Sequence, residues 1–167
     1  MDKLLKQALL AGACFFALTV PALADSLSEA NQVYGAGDYE KAAKLYSASA
    51  SKGNAEAQYI LGIMYRAGRG VPRDVDAAKR WYLLAAEQGH AQAQFNLGWM
   101  YASGKGVPQD YVRSHMWFNI AIAGAGSDAR KEFIVDRDAL AQSMTADQIA
   151  KAQALAKKCT AKKFKGC

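Results

Sequence analysis

Apolar residues fall on one helical face in a succession of short segments, each broken by glycine and reopened by a capping residue. Between Asn54 and Arg66, the residues Ala57, Leu61, Met64 and Tyr65 recur at helical spacing. Gly53 is suited to end the preceding helix in a left-handed conformation, and Asn54 to cap the next one. Gly62 weakens this helix by about 1 kcal/mol relative to alanine, and its missing side chain would let a partner helix approach closely. The loop Gly68–Asp74, GRGVPRD, supplies two glycines for positive φ. Pro72 stands near the start of a second helix and Asp74 at its cap. That helix carries Ala77, Ala78, Trp81, Ala85 and Ala86 and stops by Gly89. No alternating β-branched run occurs, so the pattern predicts an all-α chain.

The pattern then repeats. Residues 57–74, AQYILGIMYRAGRGVPRD, return as residues 93–110, AQFNLGWMYASGKGVPQD, with 11 of 18 positions identical at an offset of 36. The offset also pairs Trp81 with Trp117 and Ala85 with Ala121, while Ala78 becomes Ser114 and Ala86 becomes Ile122. A period of this size marks a helical hairpin that cannot bury its apolar face alone, so neighbours stack into a solenoid. Residues 26–53 look like a shortened first unit, with the tight turn Tyr34–Asp38 in place of the longer loop. Units at 54–89 and 90–125 follow, then a C-terminal helical pair at 127–158 whose last helix opens on the capping box Thr145-Ala146-Asp147-Gln148.

The combined pattern A-x-x-x-L-G-x-x-Y-x-x-G-x-G-V-x-x-D-x-x-A-A-x-x-W-x-x-x-A-A-x-x-G resembles the Sel-one-like repeat family, a cousin of the tetratricopeptide repeats. Ala57–Gly89 matches it throughout and Ala93–Ala125 with small departures. The resemblance implies an α-solenoid that scaffolds protein–protein contacts, often in exported bacterial proteins. It brings no shared catalytic residues.

The N-terminus changes the setting. Lys3 and Lys6 precede an apolar run at Ala8–Val20, then Pro21 and the small-x-small triplet Ala22-Leu23-Ala24. This is the layout of a secretory signal peptide cleaved after Ala24, and a run of 13 residues is short for a membrane anchor. Cys14 lies inside that run without the leucine of a lipidation site three positions before it. The mature chain of 143 residues carries a net charge of +5, concentrated in Lys157, Lys158, Lys162, Lys163 and Lys165. After export to a periplasmic or secreted location nucleic acid is not an expected partner; an anionic envelope surface could meet this basic tail, residues 159–167. Cys159 and Cys167 are expected to form a disulfide there, which requires the helix to end near Cys159 and the tail to fold back.

Catalytic chemistry is thin. Ser49-Ala50-Ser51-Lys52 matches S-x-x-K, but neither S-D-N nor K-T-G accompanies it and it lies at a helix end. A weak hydrolase or ligand-binding module of the cell wall, related to β-lactams, is therefore the alternative rather than the leading reading. His90 and His115, the two histidines, have no ligand-spaced companions, so no metal and no cofactor are expected. The glycine loops lack the strand and the Lys-Ser/Thr of a phosphate cradle, and read as turns. Tyr65, Tyr101, Trp81 and Trp117 read as inter-helix core. The chain reads as a non-enzymatic scaffold for a protein or peptide partner. The expected groove lies on the first helix of each hairpin, where Tyr59, Ile63, Phe95 and Trp99 share outward registers, with Arg66 and its counterpart Ala102 at the edge. An aromatic strip beside an arginine has the composition of an interface hot spot. The competing expectation is that the C-terminal helices fold over this strip.

Overall fold

The computed structural model describes residues 21–167. The expected export segment lies mostly outside the described residues. Among the described residues there are eight helices and no strand. They are α1 (Pro21–Gly35), α2 (Tyr39–Ser51), α3 (Ala55–Ala67), α4 (Val75–Ala86), α5 (Ala91–Ser103), α6 (Tyr111–Gly124), α7 (Ser127–Ala141) and α8 (Ala146–Ala161). The first six form three antiparallel hairpins, α1–α2, α3–α4 and α5–α6, stacked in chain order. No described helix is long and apolar enough to cross a membrane.

Helix starts follow local cap chemistry. Asn54, Asp74 and Asp110 each accept from the backbone N–H three residues on, at 2.8–2.9 Å, and Thr145 with Gln148 completes a reciprocal capping box. His90 caps α5 through Nδ1, which accepts from the Ala93 N–H at 3.2 Å.

The second and third hairpins are each closed by an aromatic ring laid over a glycine. A Cβ built on Gly62 would lie 2.5 Å from the Tyr82 ring, and one on Gly98 would lie 2.5 Å from Phe118. Tyr82 and Phe118 are 0% and 1% exposed. The adjacent Trp117 is equally buried, whereas Trp81, Tyr65 and Tyr101 are only half-buried at the edges of their clusters. The expected glycine contact is present, but its partner is the residue after each tryptophan.

Neighbouring hairpins are joined by two further repeated contacts. Buried Gln58 donates to the Ala50 carbonyl at the end of α2, and buried Gln94 donates likewise to Ala86 at the end of α4. The second glycine of each loop packs on the start of the preceding unit's second helix. A Cβ on Gly70 would run into the Tyr39 carbonyl, and one on Gly106 into Val75. Both glycines also hold positive φ, 69° and 79°.

The C-terminal helices pack on α6 rather than on each other. On α7, Phe133 joins Phe118, Ala121 and Ala125, while Ala156 and Cys159 of α8 join Trp117 and Ile120. Asn119 donates to buried His115 Nδ1 at 2.9 Å, and Arg137 of α7 reaches Asn119 Oδ1 at 3.5 Å. Beyond α8 the chain turns back through Lys163 and Phe164, both at positive φ, and Cys159 bonds Cys167 with their Cα atoms 5.6 Å apart. Closing this short loop contributes about 2–3 kcal/mol in the chain-entropy account. Phe164 packs beside Gly89, and the Gly166 N–H donates to Glu87, so the tail docks on the α4–α5 turn.

Two outcomes follow from these contacts. Gly62→Ala gains helix propensity but forces the Tyr82 ring aside, and is expected to lower stability by roughly 1–3 kcal/mol in denaturant titration. A stability equal to or above wild type would show that the ring is not held there. Burial lowers the pKa of His115, with Arg137 acting in the same direction and Asp138 opposing. A histidine that is harder to protonate when folded stabilises above its unfolded pKa of about 6.5, and that stability is lost as pH falls from there toward the folded value. Wild type should lose stability as pH falls from 7 to 5, and His115→Gln should flatten that slope. Equal slopes for both proteins would rule out the coupling.

Candidate partner-binding face

The face built by α3 and α5 gathers the residues expected at the groove, but not all of them lie open. Tyr59 and Ile63 are half-buried, Arg66 is exposed, and Trp99 is 46% exposed. Phe95 is covered: its ring stacks on Phe133 of α7 at 4.0 Å between centroids and it is 9% exposed. The sequence register places Phe95 outward, but the third unit is followed by α7, whose only buried residue fills that space. Of the two C-terminal helices, α7 therefore covers the strip at Phe95 and leaves Trp99 open. Ala102 is half-buried beyond it.

The strip is underlain by rings from the second helices. Tyr82 crosses Gly62 to stand 6.2 Å from Tyr59, and Phe118 crosses Gly98 to stand 5.1 Å from Phe95 and 6.0 Å from Trp99. Sequence reasoning missed both, although each follows its tryptophan at the same 36-residue offset. Tyr59 also stacks on His90 at 4.5 Å, and His90 Nε2 lies 2.9 Å from Glu56. Because Nδ1 of His90 accepts the Ala93 N–H, Nε2 carries the proton and donates to Glu56.

Electrostatics sharpen at the second-unit end. Burial raises the Tyr59 pKa, as does Glu56, while Arg66 and Asn96 oppose it. Burial likewise raises that of Tyr82, again with Arg66 opposing. The Tyr82 hydroxyl is enclosed; Arg66 comes close enough to favour its ionised form, but no well-formed hydrogen bond to it is made among the described residues. Arg66 makes no ion pair among the described residues.

The other motifs resolve into structure. Ser49 is 1% exposed in the last turn of α2, with no hydrogen-bond partner for its hydroxyl among the described residues, and Lys52 caps the helix end. No group of three or more His, Cys, Asp or Glu residues among those described could hold a metal ion. The loops GRGVPRD and GKGVPQD are inter-unit contacts. Lys157, Lys158, Lys162, Lys163 and Lys165 are exposed and make no ion pair among the described residues.

Comparison with known proteins agrees with this architecture. The Sel1 repeat matches at residues 32–54, 55–90 and 91–125. The c5321 protective antigen of uropathogenic Escherichia coli strains, which displays an SLR fold, superposes with a TM-score of 0.76 at 28% identity, over 85% of this chain and 31% of that one. A Sel1 repeat protein from Oxalobacter formigenes superposes with a TM-score of 0.56 at 36% identity, over 59% of this chain and 39% of that one. This chain thus spans about a third of the length of these solved relatives. No curated protein matches it. With three tandem matches over more than half its length on an all-α solenoid of stacked hairpins, the chain belongs to the Sel1 repeat family.

Proposed function

We propose that this protein is a non-enzymatic interaction scaffold of the periplasm or secreted space, which holds a protein segment along the α3–α5 face. The observation that carries this reading is Trp99. It is a large aromatic left 46% exposed, framed by Phe95 and Phe118 in edge-to-face contact, with exposed Arg66 on the neighbouring helix. Rigid aromatic surface beside an arginine is the composition that dominates protein interfaces. The family supports a scaffolding role, and the disulfide supports an oxidising compartment. The exposed lysines of α8 and the tail offer a second, electrostatic contact to an anionic envelope surface.

Trp99→Ala separates binding from folding. Trp99 is half-exposed and makes two edge-to-face contacts, so truncation should cost about 1–2 kcal/mol, well short of the ~3–5 kcal/mol of a buried tryptophan. Crosslinked partner recovered from the native envelope should disappear with the fold intact by circular dichroism. Undiminished recovery would remove this face from the binding site. The hydrolase alternative meets its own test in Ser49→Ala. This variant should fold with unchanged or slightly higher stability, since it deletes a buried hydroxyl without a partner, and should leave any β-lactam turnover intact; complete loss of turnover would reinstate Ser49 as a nucleophile.

A further inference from the structure

Among the differences between the second and third units are three changes of polarity in or beneath the binding face. Tyr59 corresponds to Phe95, Arg66 to Ala102, and Tyr82 to Phe118. In each pair the second unit has a polar group where the third has an apolar residue. Phe118 shows that a bare ring suffices to cross the glycine, so packing does not require the Tyr82 hydroxyl. A buried hydroxyl without a partner is a net cost to the fold relative to phenylalanine. Arg66 stands one helical turn beyond Gly62, over which Tyr82 lies, and its charge acts on both Tyr59 and Tyr82. The one acid of α3, Glu56, lies in its first turn, at the opposite end of the helix from Arg66, and is engaged by His90 at 2.9 Å. Two donors, the exposed Arg66 guanidinium and the enclosed Tyr82 phenol beside it, thus stand together with no acid between them.

We propose that Arg66 and Tyr82 receive an acidic side chain of an extended partner segment, whose apolar side chains continue onto Trp99, so that the face reads its partner in one direction. The inference rests on the binding-face reading above and adds chemistry and polarity to it. A carboxylate is the group that accepts from both donors and gains from the charge. Arg66 and Trp99 sit on the first helices of neighbouring units, so the acid and the apolar residue that meets Trp99 keep a fixed spacing.

A random peptide library displayed as internal loops, with no free C-terminus, tests this on the mature chain. Wild type should enrich Asp or Glu at a fixed spacing from an aromatic or aliphatic residue. For a synthetic peptide so selected and blocked at both ends, Glu→Gln should weaken binding to wild type by about tenfold, the expected scale for a charge-assisted hydrogen bond. Against Arg66→Ala the same change should matter less than threefold. Tyr82→Phe copies Phe118, so its melting temperature should not fall while its affinity for the acidic peptide does. If Trp99→Ala binds the peptide as well as wild type, the binding-face reading itself fails. If Trp99→Ala loses binding but Glu and Gln peptides bind wild type equally, the face stands and the acid assignment is overturned. Enrichment only from a library displayed with free C-termini would overturn it in favour of a terminal carboxylate, and no enrichment from either library would overturn both.

Discussion

A ring laid across a glycine sets the geometry on which the rest of this chain depends. At Gly62 and again at Gly98 the first helix of a hairpin presents bare backbone, and the second helix sends Tyr82 or Phe118 over it. The glycine weakens its own helix by about 1 kcal/mol. Burial of the ring, together with the alanines at 78, 85 and 86, offsets that cost because the two helices approach closely. The ring does not stop at the glycine. It continues to the far side of the first helix and lies beneath Tyr59 in one unit and against Phe95 and Trp99 in the next. The device that closes the hairpin therefore also furnishes the floor of its exposed face, and a change in the ring alters packing and surface together.

What could be read from the residues alone was what is decided locally. Cap residues Asn54, Asp74, Asp110 and Thr145 announce helix starts because each needs only its own side chain and a backbone N–H three residues on. The 36-residue offset announces the stacked hairpins because equal units face equal neighbours. Long-range choices were not legible. Trp81-Tyr82 and Trp117-Phe118 are adjacent aromatics, and nothing in their order says which crosses the glycine. Gln58 and Gln94 look like ordinary surface residues, yet each is buried to satisfy a carbonyl of the preceding unit. The loop glycines 70 and 106 read as turn formers, and their second role against Tyr39 and Val75 depends on how units stack. Phe95 was placed outward by register and is instead covered by Phe133, which lies outside the repeat.

The C-terminal helices break the equivalence of the units. Ile120 is 3% exposed under α8, while its counterpart Leu84 on α4 is 44% exposed. Trp117 is fully buried where Trp81 is half-buried, for the same reason. Polar bookkeeping breaks at the same place. Gln58 receives a hydrogen bond at its Oε1 from Gln88, at 2.7 Å. The residue corresponding to Gln88 in the third unit is Gly124, and the Oε1 of Gln94 is left buried without a partner among the described residues. Beside Gly124 the chain leaves the hairpin pattern and enters α7. A side chain is missing there where the repeat ends, and the cost falls on an oxygen of the adjacent helix, α5.

That asymmetry bears on the exposed face. In a uniform solenoid every unit would offer the same groove, and a partner could slide by one repeat without penalty. Here α7 covers Phe95, so the apolar run is interrupted at its third-unit end and Trp99 stands as its last open aromatic. At the second-unit end, Tyr59, Tyr82 and Arg66 bring hydroxyls and a charge that the third unit lacks. A surface with unlike ends fixes register by the mismatch of any shifted alignment. A shift of one unit would set an acid against Ala102 and Phe118 in apolar surroundings, and would leave Arg66 without its acceptor. The first error desolvates a charge without compensation, which costs more than the loss of any single apolar contact on the strip.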